Sequence, residues 1–94
     1  MKKLKDFWGR PNYRDSEQAL RAWYTEVKKA NWTNSHQVKR LYKSASFVGG
    51  NRVVFNVCGN KYRLIVAMKY EFKICYIRFI GTHQQYDKID AKEV

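Results

Sequence analysis

What this chain has little of narrows its class before any motif is read. Acidic residues are scarce: eight Asp and Glu stand against nineteen Lys and Arg, a formal charge of +11. Such an excess repels itself in the compact state and draws polyanionic partners, either nucleic acid or an acidic protein. A surface that is merely solubilising carries a smaller charge. There are two cysteines, Cys58 and Cys75, and they form no CxxC pair. They read as small buried hydrophobes in a reducing compartment, with a cross-strand disulfide as the alternative. With His36 and His83 as the only imidazoles, no metal site of accepted spacing assembles from sequence neighbours, and no cofactor is expected. The longest apolar run, Leu64 to Met68, is far short of the roughly 20 residues that span a bilayer. The basic start MKKLK meets Asp6 and Arg10 where a secretory signal needs an apolar core. A cytoplasmic location without a membrane partner is the expectation.

Low complexity is also lacking. Aromatics make up 16% of the 94 residues, Trp8, Trp23 and Trp32 among them. A single domain, 1–94, can therefore build its core from few, large side chains. Leu4, Phe7 and Trp8 predict a short helical turn, stopped by Gly9-Arg10-Pro11-Asn12. Asp15 reads as the cap of the main helix, with Gln18 completing a capping box. Leu20, Trp23, Tyr24 and Val27 follow at helical spacing and form its apolar stripe. Asn34 and Ser35 can cap a third helix with the stripe Val38, Leu41, Tyr42 and Ala45. Its other faces carry Lys39, Arg40 and Lys43, a basic set able to lie along a phosphate backbone. A solvated surface opposite an ordinary core stripe explains them equally well. Gly49-Gly50-Asn51 is expected to end this helical half.

From Arg52 the period changes to two. Val53, Phe55 and Val57 share one strand face and Val54, Asn56 and Cys58 the other. Gly59-Asn60 is a hairpin signal. The return strand alternates Lys61, Arg63, Ile65 and Ala67 with Tyr62, Leu64, Val66 and Met68. Lys69 to Lys73 reads as a reversal before a third strand, Ile74 to Ile80. Its expected faces are Ile74, Tyr76, Arg78, Ile80 and Cys75, Ile77, Phe79. Arg63 and Arg78 interrupt otherwise apolar faces, which requires either a stem packed with its head in water or a functional reason. Past Gly81, Thr82 and Gln85 form another capping box. On the turn they start, His83, Tyr86 and Asp87 share one face.

With FNVCGNKYRLIVAM, IRFIGTHQQYDKID and LRAWY in view, the chain resembles the HigB family of bacterial type II toxins, within the RelE/ParE superfamily. The resemblance runs from Asp15 through Asp90. It implies an α+β, RelE-like fold: N-terminal helices packed on a three- to four-stranded antiparallel sheet. It also implies an mRNA interferase that cuts translated mRNA on the ribosome. The implied partner is a HigA-type helix-turn-helix antitoxin, and the pair would reach operator DNA through that antitoxin. Arg63 matches the strand arginine that contacts the scissile phosphate, and His83 and Tyr86 match the terminal catalytic segment. The paired lysines of RelE are replaced by the neighbourhood of Val54 and Asn56, with Lys61 or Arg52 as substitutes.

Cleavage by a ribose 2′-OH needs a base, charge stabilisation at the phosphorane and an acid for the leaving oxygen. His83 suits acid–base work, Arg63 offers a fork to phosphate, and Asp87 can orient His83. Tyr86 can stack on a base or position the nucleophile. Arg52, Lys61 and Arg78 can hold flanking backbone. Two rival functions share these features: a gyrase-poisoning ParE-like toxin and a basic nucleic-acid-binding module without chemistry.

Overall fold

Helix formation begins where the apolar spacing places it. The computed structural model describes residues 2–59, 61–72 and 74–94. Its first helix, α1 (Lys2–Trp8), buries Leu4, Phe7 and Trp8. Pro11, with fixed φ and no N–H, opens a 3-10 turn over Pro11–Ser16. Helices α2 (Glu17–Lys29) and α3 (Ser35–Leu41) follow. Four strands then form one antiparallel sheet in chain order: β1 (Ser46–Gly49), β2 (Arg52–Val57), β3 (Tyr62–Lys69) and β4 (Ile74–Thr82). A last turn of helix, α4 (His83–Tyr86), leaves the end of β4. The α+β arrangement expected from the residues is the one observed.

The helices cover one face of the sheet. Leu4, Leu20, Trp23 and Val38 meet Val53, Phe55, Leu64 and Val66 in a single cluster, with Tyr62 and Met68 at its ends. Each large aliphatic side chain buried this fully contributes about 1.5–3 kcal/mol. Trp23 and Tyr42 both pack edge-on against Phe55, at 5.4 and 5.1 Å between ring centroids. The other face is also apolar at its centre: Val54, Ile65 and Ala67 are buried outside that cluster. The C-terminal segment returns beside it, with Lys92 against Gly49 and Gly50 and the Arg52 guanidinium donating to the Val94 carbonyl at 3.0 Å.

Several expectations change for identifiable reasons. Asp15 does not cap α2: Ser16 stands at the N-cap in helical geometry, and its hydroxyl donates back to the Tyr13 carbonyl at 2.6 Å instead of capping the helix. The Asp15 carboxylate is engaged elsewhere, by the Tyr62 hydroxyl at 2.5 Å and the Lys61 ammonium. Asn34 caps α3 as expected, accepting from the Gln37 N–H. Leu41, however, ends that helix and is 53% exposed. Gly49-Gly50-Asn51 ends no helix but joins β1 to β2, all three at positive φ (89°, 58° and 61°). A side chain on Gly50 would also approach the Lys92 carbonyl to 3.2 Å. Cys58 belongs to the next turn rather than to β2, with φ 54°. Parts of the expected Gly59-Asn60 and Lys69–Lys73 reversals, Asn60 and Lys73, lie outside the described residues. Cys58 and Cys75 are free thiols, both half-buried.

The last change matters most. Between Ile65↔Phe79 and Val66↔Ile77 the β3–β4 register shifts, so Arg78 is an extra residue on β4. The bulge inverts the alternation beyond it. Ile80 turns to the helix-covered face opposite Leu64, and Phe79 turns to the other face opposite Ile65.

Trp23 is 4% exposed, and its indole N–H has no acceptor among the described residues. Trp23→Ala should therefore lower stability by about 3–5 kcal/mol in denaturant melts. Trp23→Phe, which keeps a ring and removes the unpaired donor, should cost clearly less.

Candidate active site

Strand alternation sets the first member of the site. Tyr62 and Leu64 enter the core, so Arg63 between them points away from the helices. Its cross-strand neighbours are Asn56 on β2 and Gly81 on β4. A Cβ on Gly81 would lie 2.5 Å from the Gln85 side-chain oxygen and 2.7 Å from the Phe79 ring. Glycine there lets the Gln85 side chain and the Phe79 ring close directly onto the strand. The Arg63 Nη1 donates to the Tyr62 carbonyl at 3.3 Å, and its Cζ lies 5.8 Å from the centre of the Tyr86 ring. That is within cation–π range.

The remaining members ride on α4. Its capping box forms as the residues predict: Thr82 Oγ1 accepts from the Gln85 N–H at 3.2 Å, and Gln85 Oε1 accepts from the Thr82 N–H at 2.9 Å. The helix is also tied back to the sheet, because the His83 N–H donates to the Lys61 carbonyl at 3.2 Å. One turn later Asp87 Oδ2 lies 3.2 Å from His83 Nδ1, with both side chains more than half exposed. A pair this exposed adds little stability. The contact sets the imidazole and the carboxylate on one face of the turn. Arg63, His83, Tyr86 and Asp87 thus gather at one end of the face turned away from the helices.

The other predicted residues lie apart from this group. Arg52 shares the face, but it pairs with Ala67, four residues along β3 from Arg63 and so roughly 13 Å away. It donates to the Val94 and Gly50 carbonyls. Arg78, in the bulge, has its guanidinium 5.7 Å from the Tyr76 ring. Lys39 donates to the Ala45 carbonyl at 2.7 Å, and Arg40 and Lys43 are exposed in the helical layer. Lys61 is drawn to Asp15.

Residue patterns alone missed the support of the site. Asp15 accepts from both Lys61 and Tyr62, which holds its carboxyl below the usual range. The same ion pair raises the Lys61 ammonium, while burial, followed by the Asp15 bond, raises the Tyr62 phenol. This knot fixes the first residues of β3, which in turn hold His83 and Arg63. Asp15 carries the one signal that was present in the sequence, a polar residue in a capping pattern; its true partners are 46 and 47 residues away. Among the described residues, no group of three His, Cys, Asp or Glu is placed to hold a metal ion. No helix among them is long and apolar enough to cross a membrane.

Fold and site together describe a small basic domain that brings an arginine, a tyrosine and a His–Asp pair to one end of a sheet. Comparison with known proteins gives the class: residues 16–89 match the model of the HigB_toxin family, described as the RelE-like toxic component of a toxin-antitoxin system. The chain belongs to this family. It is also similar to the mRNA interferase toxin HigB of Escherichia coli strain K12, with 47% identity over 38 residues. That stretch is 40% of this chain and 36% of the relative's length. The mRNA interferase HigB proteins of Escherichia coli O157:H7 and Shigella flexneri match to the same extent.

The knot predicts a particular pH dependence. A depressed carboxyl contributes stability above its unfolded value, near 3.8, and that stability is lost as pH falls through the lower folded value. The raised Lys61 behaves oppositely: its share is complete below the unfolded value of 10.5 and is lost as pH rises through the folded one. Asp15→Asn should therefore melt below the wild type at neutral pH, and the two midpoints should converge as pH falls below the unfolded carboxyl value of 3.8 and through the lower folded one. A gap that persists unchanged into acid would show that the carboxylate charge is not what the knot uses.

Proposed function

We propose that this chain is the toxin of a type II toxin–antitoxin pair and acts as an endoribonuclease on mRNA. The observation that carries the reading is the Arg63 guanidinium beside Tyr86, on the face where Asp87 orients the His83 imidazole. The reaction is attack by a ribose 2′-oxygen on the adjacent phosphorus. His83 Nε2 takes the proton from the 2′-OH, the O2′–P bond forms and the P–O5′ bond breaks. Arg63 offers two N–H groups to the non-bridging oxygens, where negative charge grows. One imidazole serves the set, and it has been used as base. The proton for the leaving 5′-oxygen therefore comes from another group, and the Tyr86 hydroxyl is the proton-bearing group that the same short helix supplies. The products are a 2′,3′-cyclic phosphate and a 5′-hydroxyl.

So sparse an acid–base set suits an enzyme that borrows substrate geometry from the ribosome. The +11 charge suits that setting, since ribosomal RNA attracts a basic domain over a long range. It also suits an acidic antitoxin of the HigA helix-turn-helix type, because complementary potential speeds encounter. Operator DNA would be reached through that antitoxin. All of these partners are cytoplasmic. The match to the HigB_toxin family, whose relatives carry the printed name mRNA interferase, supports this reading over a gyrase poison or a binding module without chemistry.

Arg63→Ala should remain folded, because the head it removes is on the partly open face. It should cleave ribosome-bound mRNA about 10²–10³-fold more slowly, as losing a preorganised charge stabiliser does. Arg63→Lys should recover only part, a point charge lacking the planar fork. Mapping mRNA 5′ ends after induction, with translation running and with it blocked, reads both variants. Wild-type cleavage by Arg63→Ala would remove the arginine from the reaction.

A further inference from the structure

A groove of about 950 Å³ lies between the C-terminal half of α2, the start of α1 and the β4 edge. Lys69, on its rim, is six residues along β3 from Arg63, roughly 20 Å away. The cleavage chemistry makes no use of it. Five lysines line it, Lys2, Lys3, Lys28, Lys29 and Lys69, all of them exposed, and no Asp or Glu does. None of the five is in an ion pair among the described residues. Between them stand four rings that are not fully covered: Tyr24, Trp32 and Tyr70 are half-buried, and Tyr76 is 46% exposed. Two of these rings already carry a cation. Lys28 Nζ lies 5.9 Å from the centre of the Tyr24 ring, and the Arg78 guanidinium lies 5.7 Å from that of Tyr76. Arg78 also links the groove to the site. As the extra residue of the bulge it is exposed, three residues along β4 from Gly81, the partner of Arg63.

We propose that this groove seats single-stranded RNA, with phosphates against the lysines and bases stacked on the rings. Lysines alone attract any polyanion. Rings interleaved with cations suit a single strand in particular, because every base offers a flat face and stacks whatever its sequence. Tyr76 is the best platform: its ring is the most open of the four, and Arg78 beside it can hold the phosphate of the base it stacks. An acidic peptide would satisfy the lysines too, so stacking is the property that separates the two occupants. Under the function proposed above, on which the strand's identity rests, the occupant is the mRNA being cut. At a stacked rise of about 3.4 Å, roughly six nucleotides reach from Arg63 to Lys69. Codons already read are paired with tRNA on a translating ribosome, so the strand free to follow this path is the one 3′ of the cut.

The test titrates the full chain with a decauridylate and with an abasic sugar-phosphate of the same length, and follows tryptophan emission, since Trp32 lines the groove. The decauridylate should bind at least about tenfold more tightly than the abasic strand. Tyr76→Ala, which leaves charge unchanged at an exposed position, should lose about that factor, and Tyr76→Phe should recover it. Lys28→Glu/Lys29→Glu should weaken both strands more than Arg10→Glu/Arg14→Glu, an equal change of charge on exposed residues outside the groove. Equal binding of the two strands, indifference to Tyr76→Ala, or equal effects of the two charge swaps would overturn the RNA site. An acidic helical peptide that binds where the decauridylate does not would make the groove a protein seat instead. Programmed ribosomes then test the strand. Messenger RNA reaching about twelve nucleotides past the cut should be cleaved with a kcat/KM about tenfold above that for mRNA stopping about two past it, and Tyr76→Ala should erase the difference. No length advantage, or one that survives Tyr76→Ala, would overturn the path from Arg63. A wild-type chain that binds the decauridylate as expected but cuts neither mRNA would overturn the proposed function and leave the groove standing as an RNA site.

Discussion

Tyr62 is held from every side, and the site depends on that. Its ring is fully buried and meets Phe7 and Tyr13 edge-on, at 5.3 and 5.9 Å, while Phe7 and Tyr13 stack on each other at 4.4 Å. Its hydroxyl reaches the Asp15 carboxylate, which also holds Lys61. Its backbone pairs with Val57 on one side and Thr82 on the other, and Thr82 is the residue that caps α4. Its carbonyl accepts from the Arg63 guanidinium. One tyrosine therefore joins the N-terminal helix, the 3-10 turn, the central strand and the helix that carries His83. Exposed ion pairs alone fix geometry weakly. A buried ring whose polar tip is satisfied fixes it well.

The same economy explains how a sheet apolar on both faces tolerates a guanidinium. Burying Arg63 without partners would be costly. It stands at the start of β3, opposite Asn56 on β2 and a glycine on β4, where the Tyr86 ring and the Tyr62 carbonyl give its charge electrostatic support and the residue stays half-exposed. The bulge at Arg78 completes the arrangement. By inverting the alternation it sends Phe79 to the floor beside Ile65 and returns Ile80 to the core. Bulges recur beside functional sites because they re-aim side chains in this way.

Local signals were legible in the sequence where the chemistry is local. The Thr82–Gln85 capping box, the Asn34 cap and the stripe through Leu20 and Trp23 need only neighbours a few residues away, and all three form. Arg63 stood out because it interrupts an apolar strand face and His83 because it shares one helical face with Tyr86 and Asp87, and the resemblance to HigB toxins sharpened both signals. Asp15 was misread because a capping pattern and a tertiary ion pair look alike in a linear chain; the stronger, charged partners won. β1 was missed because Ser46–Gly49 is a four-residue edge strand with three exposed positions, too short for alternation to register. The bulge left no trace at all. Ile74 to Ile80 is apolar on both registers, so the sequence had no means of choosing the face on which Phe79 or Ile80 falls.

The central claim is that the 2′-oxygen of the RNA itself attacks the phosphorus, with Arg63 and His83 arranged around it. The chemistry of the cut ends tests this most directly. Ribosome-bound mRNA cleaved by the purified protein should carry 5′-hydroxyl ends, open to labelling by polynucleotide kinase without prior phosphatase, and matching 2′,3′-cyclic or 3′-phosphate ends. Ends bearing a 5′-phosphate and a 3′-hydroxyl would mean that water, not the ribose, is the nucleophile, and would contradict the account.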